Sequence, residues 1–197
     1  TDDIYNTMVF DGVGYHNFVQ CRPELRDRLV FVDSLSKTYG MPGWRVGFMA
    51  GPEVVAKAMT VLNSSHITNL PEVVTAAAVA ALTGPQDVPV AKCAEFQAKR
   101  DLVVATMNAI PGVICPKPQG AFYVFPDVSC AFGKSHKGVA ITNDVDFCSV
   151  LLEAKGVACV PGSAFGAPNC LRISYTCPTA QLPVGLKRIE EFFAELS

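Results

Sequence analysis

A lysine in a serine- and glycine-rich segment is the residue of this chain most suited to covalent chemistry. Lys37 lies in residues 34–40 (SLSKTYG), and Arg45 follows eight residues later. A lysine amine can condense with an aldehyde if burial or a cationic neighbour lowers its pKa. The hydroxyls of Ser34 and Ser36 and a guanidinium are groups that bind phosphate. The pattern therefore suits a phosphorylated aldehyde cofactor and requires Lys37 and Arg45 to share a cavity, although a polar turn with a surface lysine fits the same residues.

Three further side chains could serve the same chemistry. Asp2 and Tyr5 form an Asp-x-x-Tyr pattern, in which the carboxylate could keep a pyridine nitrogen protonated and the phenol could donate to a ring oxygen. Arg172 interrupts an alternating, strand-like segment over residues 170–175. An inward-facing charge there is costly unless a partner such as a substrate carboxylate pairs with it. The alternatives are a capping role for Asp2 and an outward-facing Arg172.

The elements that would position these residues follow from hydrophobic patterning. Residues 29–33 are continuously apolar up to Asp33 and predict a strand of a parallel sheet that is buried on both faces. Residues 45–50 predict a second strand that pairs with it. Pro-Glu pairs begin two helices, one running to about Asn63 and the other, nearly apolar all round and expected to be deeply buried, to Leu82. Further along we predict a helix over 88–110, strands at 121–125, 157–160 and 170–176, and helices over 144–155 and 180–196.

Composition excludes several classes of function. Half of the 197 residues are apolar, 17% are charged and the net charge is −2, with Lys and Arg dispersed rather than clustered, which gives no field for nucleic acid. No apolar stretch approaches the roughly 20 residues of a membrane span. The eight cysteines contain no C-x-x-C pair, which favours free thiols in a reducing cytoplasm over a disulfide framework. The three histidines are isolated, so no metal site is predicted.

Six segments, in order along the chain, resemble the C-terminal half of the fold-type I, class I/II aminotransferases that use pyridoxal 5′-phosphate, the aspartate aminotransferase family. The segments are residues 2–5 (DDIY), 34–37 (SLSK), 43–47 (GWRVG), 120–123 (GAFY), 160–162 (VPG) and 171–174 (LRIS). The resemblance implies that Lys37 is the catalytic, Schiff-base lysine. It also implies that Asp2 and Tyr5 contact the cofactor ring and that Ser34 and Arg45 bind its phosphate. Arg172 would bind the substrate α-carboxylate.

The resemblance also implies an α/β fold with two domains. Residues 1–85 would be the C-terminal portion of the large, cofactor-binding domain, a mostly parallel sheet with helices. Residues 86–110 would form an interdomain helix, and residues 111–197 an α+β small domain. The expected protein is a cytoplasmic homodimer with sites at the subunit interface, where residues 67–69 (ITN) reach the neighbour's site. Its partners would be small molecules, with no nucleic acid and no membrane.

The implied reaction moves an amino group from an L-amino acid, with aspartate as the first choice, to a 2-oxo acid. An aromatic or alanine-type aminotransferase, a pyridoxal-phosphate-dependent lyase and a non-catalytic binding protein are the alternatives. Family members are about twice as long as this chain, and the phosphate-binding glycines, the ring-stacking aromatic and an asparagine near the ring oxygen are missing from it. We therefore expect the chain to be truncated and to transaminate poorly or not at all on its own.

Overall fold

Helices and strands are interspersed along the chain in the computed structural model, which describes residues 1–197. This confirms the α/β class predicted from the sequence. Tertiary contacts divide the chain into a first unit, residues 1–94, and a second unit, residues 95–197. The division falls inside one long helix, so that helix begins in the first unit and ends in the second.

The first unit holds one short ladder and most of its helices follow it. Its elements are α1 (Phe18–Cys21), β1 (Phe31–Ser34), α2 (Leu35–Thr38), β2 (Gly47–Ala50), α3 (Glu53–His66), α4 (Glu72–Thr83) and the start of α5 (Asp87–Ala109). β1 and β2 pair antiparallel, with Ser34 opposite Gly47. Asp2 joins β1 through a single parallel bridge to Val32. A small core forms beneath the ladder around Leu35, Val46 and Ala78.

Two burial predictions for the first unit are wrong. β1 is not buried on both faces, because Val32 is 44% exposed. α4 is not deeply buried, because only Ala78 is buried on it, whereas Val73 is 67% exposed and Val79 and Leu82 are more than half exposed. An apolar composition favours burial of a helix or strand, but burial also requires another element that packs against its apolar face.

The helix starts in the first unit agree with the sequence signals. α3 and α4 begin at Glu53 and Glu72, each directly after a proline, whose fixed φ suits a first helical turn. α3 runs to His66, beyond the predicted end near Asn63. It ends where the amides of Ile67 and Thr68 both donate to the Asn63 carbonyl, each at 2.9 Å. The second strand is shorter than predicted, since β2 begins at Gly47 rather than at Arg45.

The second unit is built on a three-stranded antiparallel sheet. Besides the end of α5, its elements are β3 (Tyr123–Val124), β4 (Lys134–His136), β5 (Val139–Ile141), α6 (Asp144–Lys155), β6 (Val160–Pro161), β7 (Leu171–Ser174) and α7 (Leu182–Ala194). β7 is the central strand, between β3 and β6. β4 and β5 form a separate hairpin, which the sequence analysis missed. α6 has the predicted bounds, with Asn143 as its N-cap and Gly156 as its left-handed C-cap.

The core of the second unit is dominated by aromatic residues. Phe147 of α6 and Phe192 of α7 are fully buried and meet edge to face, with ring centroids 5.3 Å apart and an interplanar angle of 86°. Leu182, Leu186 and Ile189 line the same buried face of α7 as Phe192, at the three- and four-residue spacing of an amphipathic helix. Burying one such side chain contributes about 1.5–3 kcal/mol, so this unit has its own substantial core.

The chain has no single membrane-spanning helix and no disulfide. No single helix is long and apolar enough to cross a membrane; α4 and α5, bent by 77°, meet the length and composition criteria only as a pair. All eight cysteines are free. Burial raises the pKa of Cys115 to about 11 and, as the main cause, that of Cys148 to about 11. Both thiols therefore stay protonated near neutral pH and act as small apolar groups.

Candidate active site

Lys37 is positioned by the short helix α2, which directly follows the end of β1. The Ser34 hydroxyl oxygen accepts a hydrogen bond from the Ser36 N–H at 3.2 Å and so caps α2. Leu35 is buried in the small core of the first unit, which fixes the orientation of the four-residue helix. The side chains of Ser36 and Lys37 consequently lie at the edge of that core, where both are partly buried.

Arg45 is placed by a strained turn just before β2. Its backbone lies in the left-handed region, at φ 56° and ψ 44°, which is uncommon for a residue other than glycine. The guanidinium Nη1 donates to the Pro42 carbonyl at 2.9 Å, and the neighbouring Val46 carbonyl accepts from the Leu35 N–H at 3.3 Å. Such a backbone costs of order 1–3 kcal/mol, and strain of this kind clusters at functional sites.

Lys37 and Arg45 open onto one cavity of about 320 Å³. Its lining consists of Ile4, Ser34, Ser36, Lys37, Pro42, Arg45, Val46 and Gly47. The structure thus brings together three of the predicted site residues, Ser34, Lys37 and Arg45, and the requirement of a shared cavity is met. At Gly47 a Cβ atom would lie 3.3 Å from the Asp33 carbonyl oxygen, so glycine allows the two strands to approach closely beside the cavity.

Asp2 and Tyr5 lie on the neighbouring segment but do not line this cavity. Ile4, which stands between them, does. The bridge to Val32 holds Asp2 beside β1, and its exposed carboxylate accepts a hydrogen bond from the Ile4 N–H at 3.3 Å. Their contacts with a cofactor ring stay predictions.

A buried carboxylate beside the cavity was missed by the sequence analysis. Asp33 is 8% exposed; its Oδ1 accepts from the Ser34 N–H at 2.6 Å and its Oδ2 accepts from Asn6 Nδ2 at 2.7 Å. Burial is the main cause that raises the pKa of Asp33, and the negative charges of Asp3 and Asp2 add to it. An acidic residue at the end of an apolar segment usually lies in solvent at the end of a strand. Nothing in the sequence therefore indicated that Asp33 is buried.

Arg172 lies in the second unit, on β7 opposite Val160. Its guanidinium carbon is 4.7 Å from the centroid of the Tyr123 ring and 4.5 Å from that of Phe165. The guanidinium makes no hydrogen bond and no ion pair with any residue of the chain, although the residue is partly buried. Its binding of a substrate carboxylate stays a prediction, but the N–H donors for it are available.

The cavity around Lys37 fits the group that the sequence predicts for it. Its lining offers one primary amine, one guanidinium and two hydroxyls, and it includes no carboxylate. An amine and a guanidinium that line one cavity favour an anionic ligand. The hydroxyl proton of Ser34 is still free to be donated, because the bond to Ser36 uses only the oxygen as acceptor. An aldehyde that carries a phosphate would satisfy both kinds of group.

Comparison with known proteins gives an independent result. The family model described as "Aminotransferase class I and II" matches residues 1–189. The chain is 43% identical to the aspartate/prephenate aminotransferase of Cereibacter sphaeroides, over all of this chain and 50% of that protein. It is 44% identical to an aspartate aminotransferase of Rhizobium meliloti, over 95% of this chain and 46% of that protein. The chain therefore spans about half the length of the curated relatives it matches.

Solved structures agree with the sequence match. A crystal structure of the aspartate aminotransferase from Rhizobium meliloti superposes with a TM-score of 0.94 at 42% identity and covers 99% of this chain and 49% of that one. The aromatic aminotransferase from Pyrococcus horikoshii superposes with a TM-score of 0.88 at 29% identity, over 98% of this chain and 50% of that one. Both similarities extend over nearly every element described above.

Proposed function

The chain belongs to the aminotransferase class I and II family, whose members use pyridoxal 5′-phosphate, and from this premise we propose that it supplies the catalytic lysine of such an enzyme. The proposed reaction moves an amino group from an L-amino acid, with aspartate as first choice, to a 2-oxo acid. The observation that carries the proposal is the cavity shared by Lys37, Arg45 and Ser34. The names of the most similar relatives support the choice of aspartate.

Pyridoxal phosphate, when bound, would supply an aldehyde carbon and an electron-accepting ring. The amine of Lys37 would hold the cofactor. Lys37 Nζ would also take the proton from the substrate α-carbon and later return it, as a general base and acid. Arg45 with the Ser34 and Ser36 hydroxyls would hold the phosphate through charge-assisted hydrogen bonds.

Three residues outside this cavity complete the proposal. The carboxylate of Asp2 would accept a hydrogen bond from the protonated ring nitrogen, and the Tyr5 hydroxyl would donate to the ring oxygen. Arg172 would bind the α-carboxylate of the substrate through two parallel hydrogen bonds. The absence of any acceptor for the Arg172 N–H donors within the chain supports this role.

The proposed organisation follows the family. Residues 1–85 would belong to the large domain, residues 86–110 to the interdomain helix and residues 111–197 to the small domain. We propose a cytoplasmic homodimer that acts on small molecules and binds neither nucleic acid nor membrane. The exposed apolar side chains of α3 and α4, such as Val54 and Val73, support a covered surface in the assembly. Residues 67–69 would reach the neighbour's site, and the left-handed backbone of Thr68, at φ 64°, supports a constrained role there.

The test uses a chimera in which the matching amino-terminal half of the Rhizobium meliloti aspartate aminotransferase precedes Thr1. After loading with pyridoxal phosphate, borohydride reduction and peptide mass spectrometry locate the labelled lysine, and oxaloacetate formation from aspartate and 2-oxoglutarate measures turnover. We expect the label on Lys37 and turnover lowered at least about 10²–10⁴-fold in Lys37→Ala, the range for a lost general base. Lys57→Ala is the matched control, because that side chain is 75% exposed and pairs only with Glu53.

Each alternative function gives its own result in the same experiment. Label on another lysine, or full turnover in Lys37→Ala, would contradict the proposal. Faster reaction with phenylalanine or alanine than with aspartate would favour the aromatic or alanine-type enzyme. Release of ammonia without a 2-oxo acid acceptor would favour a lyase, and no label at all would favour a binding protein. The 197-residue chain without the added half should show little or no turnover.

A further inference from the structure

Arg172 contacts two aromatic rings, which the binding of a carboxylate does not by itself require. The two rings that contact its guanidinium attract a cation through their π faces, at 4.7 Å for Tyr123 and 4.5 Å for Phe165. Neither ring contact consumes an N–H donor as an ion pair would. No nitrogen of Arg172 is among the buried side-chain atoms that lack a partner, so its N–H donors are accessible to a ligand. The rings therefore hold the cation and leave its hydrogen bonds to a ligand.

Both rings are fixed by contacts of their own. Tyr123 lies on β3 opposite Ser174 of β7, and its ring centroid is 4.7 Å from that of Phe122. Phe165 meets Phe125 edge to face, with centroids 6.0 Å apart at 84°. The arginine thus contacts two rings that each pack against a further aromatic ring, although Phe165 itself is 50% exposed.

The turn that carries Phe165 is anchored by a buried carboxylate. Phe165 ends the 3-10 turn Gly162–Phe165, and the Ser163 N–H in that turn donates to Asp144 Oδ2 at 2.6 Å. Asp144 is 2% exposed, at the start of α6. Burial alone would raise the pKa of Asp144, but the hydrogen bonds from Ser163 hold it below its ordinary value. The anchor is therefore ionised at neutral pH.

We propose that Tyr123 and Phe165 are positioning residues for the carboxylate-binding arginine, and that Asp144 acts on Arg172 through the turn that carries Phe165. This inference rests on the proposed function, because the ligand is the α-carboxylate of the amino-acid substrate. Without the rings a long arginine side chain samples several rotamers, and only some of them present both N–H groups to a carboxylate. Loss of one ring should weaken binding of the α-carboxylate and leave the chemistry at Lys37 unchanged.

The experiment compares aspartate with β-alanine, which is aspartate without its α-carboxylate, in the loaded chimera. Phe165→Leu should raise the KM for aspartate about tenfold with little change in kcat, and should leave the reaction of β-alanine unchanged. Asp144→Ala should give a smaller increase of the same kind, and Asp144→Asn, which keeps an oxygen for the Ser163 N–H, should restore most of the affinity. Phe18→Leu is the matched control, because Phe18 is 48% exposed and lies in the first unit.

Equal effects on aspartate and β-alanine would show a general structural defect and overturn the proposal, as would an unchanged KM for aspartate in Phe165→Leu. A second measurement does not depend on catalysis. In the ¹⁵N-arginine-labelled 197-residue chain, acetate should move the Arg172 Nε–H signal at a lower concentration than in the Phe165→Leu chain. If Lys37 is not labelled yet this difference is seen, the proposed function fails and the positioning role stands. If acetate moves the signal equally in both chains, the positioning role fails.

Discussion

The two units of this chain place their key cations in opposite kinds of surroundings. In the first unit, Lys37 and Arg45 face a cavity at the edge of a small core of Leu35, Val46 and Ala78. In the second unit, Arg172 stands on the central strand of a sheet, beside two rings that are themselves packed. The first site is lined by residues 34–47 together with Ile4, whereas Tyr123 and Arg172 of the second site lie on strands far apart in the sequence.

The difference extends to burial. Much of the apolar surface of α3 and α4 is exposed, whereas Phe147 of α6 and Phe192 of α7 are completely buried. Net stability is the small difference between the free energy gained by burying apolar surface and the conformational entropy that the chain loses on folding. A unit whose helices leave apolar side chains in water gains little from burial to offset that loss. The second unit should therefore be a folding unit in its own right, and the first should depend on further contacts.

The largest expected effect comes from separating the units. Residues 87–197, which keep α5 whole, should unfold cooperatively in urea with a free energy of unfolding of about 5–10 kcal/mol, as for an ordinary domain of that size. Residues 1–86 should show no cooperative transition and poorly dispersed amide signals in NMR spectra. Cooperative unfolding of residues 1–86 alone would remove the distinction between the units.

A pair of glycines tests the same contrast at single positions. At Gly162, in the second unit, a Cβ atom would collide with the carbonyl oxygens of Ala167 and Cys170, whereas at Gly43, in the first unit, it would meet nothing within 4 Å. Gly162→Ala should lower the free energy of unfolding by about 1–3 kcal/mol, and Gly43→Ala should change it by no more than about 0.5 kcal/mol. Urea unfolding of the full chain measures both, and similar losses would contradict the difference in packing.

A pH-dependent effect is expected at Asp33 in the first unit. Its pKa is raised in the folded chain, mainly by burial, so its contribution to stability is full below the unfolded pKa of about 4 and is lost as pH rises through the folded pKa. In the full chain, Asp33→Asn should remove that loss, so its effect on Tm, relative to the unchanged chain, should be more favourable at pH 7 than at pH 4. Asn6 can assist, because its buried Oδ1 has no partner and could accept from the new amide. Thermal unfolding of the full chain at both pH values measures this change in Tm. A change of the same size at both pH values would contradict the prediction.

The smallest expected effect is at Glu195 in the second unit, whose pKa is lowered in the folded chain rather than raised. The Lys155 ammonium, followed by His136, lowers the pKa of Glu195 to about 2, with hydrogen bonds of 2.6 and 2.9 Å. This contribution is present above the ordinary pKa of a glutamate and is lost as pH falls to about 2. Glu195→Gln should thus lower Tm slightly at pH 7 and leave it unchanged near pH 2. A loss of the same size at both pH values would show that the charge is not responsible.

Local signals in the sequence predicted local structure well. The bounds of α6 follow from the Asn143 cap and the Gly156 stop, and the cavity joins Ser34, Lys37 and Arg45 because one short loop carries all three. The hairpin of β4 and β5 was missed because its strands are short and partly polar. Its signal was the Lys137-Gly138 pair, both with positive φ, which is typical of a two-residue hairpin turn.

Non-local features could not be predicted in the same way. The exposure of α4 depends on what covers it, which composition does not state. The contact of Arg172 with Tyr123 depends on the pairing of β3 with β7, two strands separated by several other elements. The burial of Asp33 depends on Asn6, which approaches from another segment. In each case the deciding neighbour is far along the chain.

The pairing of Ser34 with Gly47 has a consequence for how this chain can vary. The ladder fixes both ends of the intervening segment, so an inserted or deleted residue would either displace the short helix and turn within it or slip the register and turn alternate side chains to the opposite face. The amine and the guanidinium would then no longer open onto the same space. Homologous chains should therefore differ in this segment by substitutions and keep its length constant. The junctions of chimeric chains should lie outside it.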